Sequence, residues 1–295
     1  MILFKLVKLE DKSVLQPVLS QIPYPLCNFT FTNMIIWNSF YSPAYSFVDG
    51  MLVIVSQIDT HTYFNFPLGN GNTKTVIDKL IDYAQLQKTL FSMINITEEM
   101  KTMLEKDYPD RFAFSVSSDY SDYLYNTQDL ILLQGKKYQS KRNHINKFKS
   151  AYNYRYHAMT DNDIAECLEM HRQWAEVHCL HGNSTLASET CATRKALQLF
   201  GRLGLKGGVL RVDEKVIAFT LGQPINHTTF DICIEKALSE YEGSYPMINQ
   251  LFLKDQASDY AYINREEDLG VEGLRKAKLS YYPVRLLSKY NAVLQ

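Results

Sequence analysis

Apolar and polar positions alternate most clearly on either side of Asp49-Gly50. Tyr45-Ser46-Phe47-Val48 precedes the pair and Met51-Leu52-Val53-Ile54-Val55 follows it. Two strands joined by a residue pair that tolerates positive φ predict a hairpin over Ala44 to Ile58. Met1 to Leu9 reads as an edge strand and Asp11 to Ile22 as a helix stopped by Pro23 and Pro25. Asn28 to Phe40 is rich in aromatic residues that suit core packing. Thr62 to Pro67 is a third strand, and Thr73 caps a helix running to about Gln87 that buries Val76, Leu80, Tyr83 and Ala84. Leu90 to Ile96 is a strand, Thr97-Glu98-Glu99 opens a helix with acids in its first turn, and Arg111 to Ser117 is a strand. Asp119 to Tyr125 reads as a connector.

A similar order follows. Tyr152 to Ala158 is a strand and Ile164 to His178 a helix, and Ser188 caps a helix reaching Leu203. Val209 to Val212 and Val216 to Leu221 form a second hairpin around Asp213-Glu214-Lys215. Thr228 to Glu235 is a strand and Ser244 to Ser258 a helix with Pro246 in its first turn. Tyr260 to Asn264 is a strand, Val271 to Lys278 a helix, and Tyr281 to Leu287 a last strand. The pattern predicts an α/β protein whose second half repeats the first.

Between the halves lies the stretch from Gln134 to Lys149. Tyr138, Ile145 and Phe148 recur on one stripe of a helical period. The stretch holds six of the 31 basic residues of the chain (Lys136, Lys137, Lys141, Arg142, Lys147 and Lys149) and none of the 32 acidic ones. Such a cluster is either a solvated helix face or a footprint for phosphates.

Composition narrows the picture. A chain of 295 residues suggests two domains. A net charge of −1 and a pI near 6.7 exclude a general DNA-coating protein but leave room for a local RNA site. The five cysteines, Cys27, Cys167, Cys179, Cys191 and Cys233, form no CxxC pair, which fits reduced thiols in a cytoplasmic protein. No secretory leader or bilayer-spanning run is read; the longest apolar runs, Met51 to Ile58 and Leu130 to Leu133, are strand-sized. His171 and His178, with Cys179 and His181 beyond, lack the partners of a recognisable metal set, so no metal is expected.

Several stretches carry a family resemblance: Tyr123-Leu124-Tyr125, Asp129-Leu130, and Gly135 to Tyr138 with Lys141 to Phe148. So do Glu235-Lys236-Ala237, Asn264 to Gly270 and Glu272 to Tyr281. Over nearly the whole chain they resemble the family named for the C-terminal domain of phosphatidylglycerol lysyltransferase. That resemblance implies two tandem GNAT-like (acyl-CoA N-acyltransferase-like) domains, 1–130 and 131–295, the second beginning with the basic helix. It implies transfer of an aminoacyl group from aminoacyl-tRNA to an amine or hydroxyl on a small-molecule, peptide or lipid-headgroup acceptor. Fem-type peptidyltransferases are more distantly similar. The alternatives are an acyl-CoA-dependent N-acyltransferase and a non-catalytic GNAT-like binding protein.

Under the first reading the donor, charged tRNA, meets Lys136, Lys137, Lys141, Arg142, Asn143 and Lys147; under the second the donor is acyl-CoA. Asn264, Arg265, Arg275 and Lys278 complete the substrate-binding set, with the two arginines suited to phosphates. Glu235, Glu266, Asp268 and Tyr281 are the candidate catalytic groups. Glu266 or Asp268 would bind or deprotonate the acceptor and Tyr281 would donate to an oxyanion. The competing reading makes Glu235-Lys236 and Glu272-Arg275 ordinary ion pairs and Asp268 a helix cap. An acyl-CoA enzyme would carry a glycine-rich phosphate loop before a helix. Here Glu240-Tyr241-Glu242-Gly243 puts two acids there. The oligomeric state is not legible.

Overall fold

The structure, a computed structural model, describes residues 2–178 and 184–295. Contacts divide the chain into two compact units. One comprises Met1–Asp122, Glu267–Arg275 and Leu286–Gln295; the other comprises Tyr123–Glu266 and Lys276–Arg285. This division is interleaved and differs from two continuous stretches meeting at 130/131, because the chain's last strand joins the first unit.

In chain order the first stretch gives β1 (Lys5–Leu6), α1 (Lys12–Leu19), α2 (Phe31–Ile36), α3 (Asn38–Tyr41), β2 (Ala44–Val48), β3 (Met51–Ile58) and β4 (His61–Phe64). Then come α4 (Thr73–Leu86), β5 (Ser92–Ile96), α5 (Glu98–Asp107) and β6 (Phe112–Val116). The next stretch gives β7 (Asp122–Asn126), α6 (Thr127–Leu132), α7 (Gln139–Ala151), β8 (Tyr154–Ala158), α8 (Ile164–His178), α9 (Ser184–Gln198) and α10 (Phe200–Leu203). It continues with β9 (Lys206–Val212), β10 (Lys215–Pro224), β11 (Thr229–Ala237), α11 (Ser244–Gln256) and β12 (Tyr262–Asn264). α12 (Glu272–Leu279), β13 (Arg285–Leu287) and β14 (Tyr290–Leu294) close the chain.

The sheet of the first unit runs β1-β2-β3-β4-β5-β14-β6. Its hairpin closes as the pattern requires. Asp49 and Gly50 have φ of 48° and 79°, and Val48 faces Met51. Asn72, rather than Thr73, caps α4 by accepting from Thr75 N at 3.0 Å. β14 sits between β5 and β6, antiparallel to both.

The second sheet runs β13-β7-β12-β11-β10-β9-β8. Phe148 and Ile145 of α7, Phe252 and Ile248 of α11, and Phe230 and Ile232 of β11 belong to one buried core. Two irregularities shape this sheet. β11 pairs with β12 only through Thr229, Phe230 and Asp231, then continues to Ala237 without it. β11 also carries an extra residue, since Leu221 faces Ile234 while Gly222 faces Ile232, leaving Cys233 as a bulge. The bulge reverses the alternation. Phe230 and Ile232 lie on the α11 face before it; after it, Glu235 and Ala237 do. Gly222 permits this close passage, as a Cβ there would lie 2.4 Å from Asp231 O.

Other expected elements differ as well. The connector over Asp119 to Tyr125 ends in strand β7. The run Leu130 to Leu133 belongs largely to helix α6, because four apolar residues do not distinguish strand from helix. Ser188 lies inside α9 rather than at its cap. The strand expected over Tyr281 to Leu287 is confined to β13, and β14 follows it.

Candidate functional site

The separation of β11 from β12 opens the place where the second unit gathers its polar side chains. Arg265 follows the last paired residue of β12, and Glu235 stands on the unaccompanied end of β11. They meet there: Arg265 Nη2 donates to Glu235 Oε1 at 2.8 Å, with both side chains largely buried. The other oxygen of Glu235 accepts from Asn249 Nδ2 of α11, also at 2.8 Å. The Tyr281 ring lies 4.8 Å from the Arg265 guanidinium carbon, and the Tyr125 ring 5.9 Å from it. Lys141, on the basic helix α7, turns inward with its Nζ 4.1 Å above the centre of the Tyr281 ring.

Charge in this cluster is tuned by burial. Burial first, and then the Arg265 charge, lower the Lys141 ammonium against the opposing pull of Glu235, to a pKa of about 8. Burial pushes the Tyr281 and Tyr125 hydroxyls up, with Arg265 working the other way. Burial disfavours the charge on Arg265, but Glu235 and the two tyrosines outweigh it and raise its pKa. Two buried polar atoms of the cluster, Arg265 Nη1 and Asn249 Oδ1, make no aligned hydrogen bond, although the Tyr281 hydroxyl is close enough to the Arg265 guanidinium to interact with it.

A frame of hydrogen bonds to carbonyls holds the cluster in place. Lys278 Nζ donates to Arg265 O at 2.6 Å, Tyr125 Oη to Lys278 O at 2.9 Å, and Tyr138 Oη to Tyr281 O at 3.1 Å. Buried Asn264 accepts from Glu266 N at 2.6 Å and so fixes the turn at Glu266, whose φ is 55°. Lys278 and Asn264 are thus positioning groups.

The rest of the basic helix divides by role. Arg142 donates to Leu133 O and to Gly135 O at 2.8 Å, satisfying carbonyls at the end of α6 and in the turn beyond it. Lys147 pairs with Glu242. Asn143 is exposed and accepts from Gln139 Nε2 at 2.8 Å. Lys136 is exposed, and Lys137 lies 5.4 Å above the Tyr282 ring.

Asp268 and Arg275 belong to the first unit. Fully buried Asp268 accepts from Arg275 Nε and Nη2, both at 2.8 Å, and from Gly270 N at 2.9 Å. Arg275 also reaches Asp119 at 2.5 Å. The same unit buries Lys289, whose Nζ is 2.6 Å from Asp122 Oδ1, bonded to Glu267, and 3.6 Å from Cys27 Sγ. Cys27, Asp122 and Glu267 have the mutual spacing of metal ligands, and the ammonium of Lys289 already serves them as a cation. His171 is buried, donates from Nε2 to Thr190 O at 3.2 Å and stacks on Trp174. Cys179, His181 and the side chain of His178 lie outside the described residues.

Asn249 escaped the sequence reading. The signal for it was a polar residue among Met247, Ile248, Phe252 and Leu253, which are fully buried on α11.

Comparison with known proteins agrees with this architecture. The family model described as phosphatidylglycerol lysyltransferase, C-terminal, matches residues 21–293. A conserved protein of unknown function from Bacteroides thetaiotaomicron VPI-5482 is 41% identical, each chain covering 100% of the other, with a TM-score of 0.96. The C-terminal domain of a proposed lysylphosphatidylglycerol synthetase from Agrobacterium fabrum superposes with a TM-score of 0.70 at 12% identity, over 97% of this chain and 92% of that one. A tandem GNAT protein from the clavulanic acid biosynthesis pathway gives 0.52 at 8% identity, over 99% and 98%. The fold is therefore tandem GNAT-like. An uncharacterized protein of Mycoplasmoides gallisepticum is 27% identical over 172 residues, 58% of this chain; the match spans 55% of that protein's length. Among the described residues no helix is long and apolar enough to cross a membrane.

Proposed function

The chain belongs to the phosphatidylglycerol lysyltransferase C-terminal family, and from that premise we propose that it transfers an aminoacyl group from aminoacyl-tRNA to an amine or hydroxyl acceptor. The observation that carries this reading is the convergence of Lys141, Arg265, Glu235 and Tyr281 where β11 leaves β12. Ester aminolysis or transesterification needs a base near neutral pH and a fixed positive charge at the carbonyl oxygen. Lys141 supplies the first and Arg265 the second.

In the proposed reaction the acceptor's lone pair forms a bond to the ester carbonyl carbon, and the carbonyl electrons move to oxygen. Arg265 holds that oxyanion, with Glu235 fixing the guanidinium. The acceptor's proton passes to the neutral amine of Lys141. Collapse breaks the bond to the ribose oxygen, which takes the proton back from Lys141 and leaves as the tRNA hydroxyl. Glu266, Asp268 and Arg275 have no part in this scheme, since Asp268 and Arg275 serve each other. An acyl-CoA donor suits the second unit less well: Gly243, at the start of α11, packs so closely on α7 that a Cβ would lie 2.4 Å from His144 O, and Glu242 stands beside it.

The test is a titration of labelled aminoacyl-tRNA at two salt concentrations. Binding should weaken steeply with salt. Neutralising exposed Lys136, Lys137 and Lys149 should reduce the logarithmic slope by about one for each phosphate that no longer meets a cation. No binding at low salt overturns the reading. The pH dependence of transfer adds a second check. A base with a pKa of about 8 makes the rate climb with pH and level off above that value. Lys141→Met should remove the limb and lower the rate by about 10²- to 10⁴-fold.

A further inference from the structure

We infer that Cys27 and Lys289 are a site of oxidative cross-linking, a covalent bond from Sγ to Nζ that peroxide makes and thiols break. The site lies within the first unit and takes no part in the transfer proposed above, so it stands or falls independently of that reaction.

The two residues are 262 positions apart in the chain, yet Lys289 Nζ is 3.6 Å from Cys27 Sγ. Reacting atoms about 3–3.5 Å apart are close to attack geometry. The cysteine is held in place. Its N donates to Asp122 Oδ2 at 2.8 Å, and its Sγ donates to Asp122 Oδ1 at 3.3 Å. Its carbonyl accepts from Thr30 Oγ1 at 2.9 Å and from Asn33 Nδ2 at 3.1 Å. Lys289, immediately before β14, reaches the sulfur on a flexible four-carbon stem. Its ammonium pairs with Asp122 at 2.6 Å and with Glu267. Cys27, Asp122 and Lys289 are buried, and the Glu267 side chain, 16% exposed, is the member of the group that meets water. That opening suits a small oxidant such as hydrogen peroxide.

A buried thiol is ordinarily inert, but an adjacent ammonium favours its nucleophilic form. In the first step Cys27 Sγ bonds to one oxygen of hydrogen peroxide and the O–O bond breaks. The thiol proton passes through Asp122 to the departing hydroxide, which leaves as water. Sulfur is oxidised to the sulfenic acid and peroxide is reduced. In the second step Lys289 gives one proton to Glu267, and its Nζ lone pair bonds to the sulfenic sulfur. The S–O bond breaks, and the oxygen takes a second proton from nitrogen and leaves as water. The product is a sulfenamide, and no further oxidant is needed. Two equivalents of a small thiol reverse it, restoring the thiol and the amine and leaving one disulfide. Oxidation thus replaces an ionic clamp beside the last strand with a covalent one.

The experiment treats the purified full chain with hydrogen peroxide and reads its intact mass and tryptic map. The expected product has lost two hydrogen atoms, joins the Cys27 peptide to the Lys289 peptide, resists cleavage after Lys289, and returns to the parent mass in dithiothreitol. Cys167 is the internal comparison. It is equally buried, but its charged neighbours are Asp163, Arg211 and Glu166, so it should form no link. Lys289→Arg keeps a positive charge without a nucleophilic amine, and its Cys27 should gain oxygen and stay unlinked. In the parent protein, a Cys27 that remains a thiol, or that gains oxygen while Lys289 stays free, overturns the inference. So does a link that retains an oxygen atom. These parent outcomes do not depend on the variant folding.

Discussion

Arg265→Met should unfold about 3–5 kcal/mol more readily than the parent protein, because it leaves the Glu235 carboxylate buried without its cation. The expected cost exceeds that of most single substitutions, and its origin is specific. The pair lies inside a low-dielectric cluster of Tyr125, Tyr281 and Asn249, so water does not replace the lost guanidinium. A double variant, Arg265→Met with Glu235→Leu, should recover most of the loss, since replacing both members of a buried pair by apolar groups is often close to neutral. Urea unfolding of the parent, both single variants and the double variant measures the coupling. The functional prediction points the other way. If Arg265 holds the oxyanion, the double variant is as inactive as the single one despite its recovered stability. A double variant that regained transfer would reduce the pair to scaffolding.

Lys289→Met should be at least as damaging, at about 3–5 kcal/mol or more, because two carboxylates rather than one lose their partner. Methionine retains much of the volume, so the deficit reports charge rather than a cavity. Burial disfavours the Lys289 ammonium, but Asp122, Cys27 and Glu267 together hold its pKa well above the ordinary lysine value. A raised lysine pKa contributes stability that is complete below the unfolded value, about 10.4, and is lost only as pH rises through the folded value. The parent's share from Lys289 is therefore constant across neutral pH, for as long as its carboxylate partners stay ionised. In the variant, acid protonates the abandoned carboxylates and relieves the cost. The gap between parent and variant should narrow as pH falls from neutral toward the ordinary carboxylate range, because a buried carboxylate without its cation takes up its proton above that range. A gap independent of pH would mean that packing, not charge, sets the effect.

Local features were the legible part of this fold. Asp49-Gly50 announced its turn because positive φ restricts the residues that fit, and Tyr138, Ile145 and Phe148 announced α7 because a helix must bury one stripe. Non-local features were hidden. β7 begins with Asp122, a residue that argues against a strand until Lys289, distant in sequence, is known to sit beside it. β14 is five residues long, and its place between β5 and β6 follows from partners rather than from its own pattern. The site shows the same division. Glu235, Arg265 and Tyr281 came from motif resemblance, yet simple alternation puts Glu235 on the face opposite Phe230. Only the extra residue at Cys233 turns it toward Arg265. Lys141 counted as one cation among six, and its inward direction depends on the position of Tyr281.

The placement of β14 also bears on how the chain is made. A strand between β5 and β6 is interior to its sheet, so until residue 294 has left the ribosome those two strands lack their shared partner. The first unit is begun first in synthesis and finished last. During translation its open edges are exposed while the whole of the second unit is produced. A nascent chain in that state has reason to engage a chaperone.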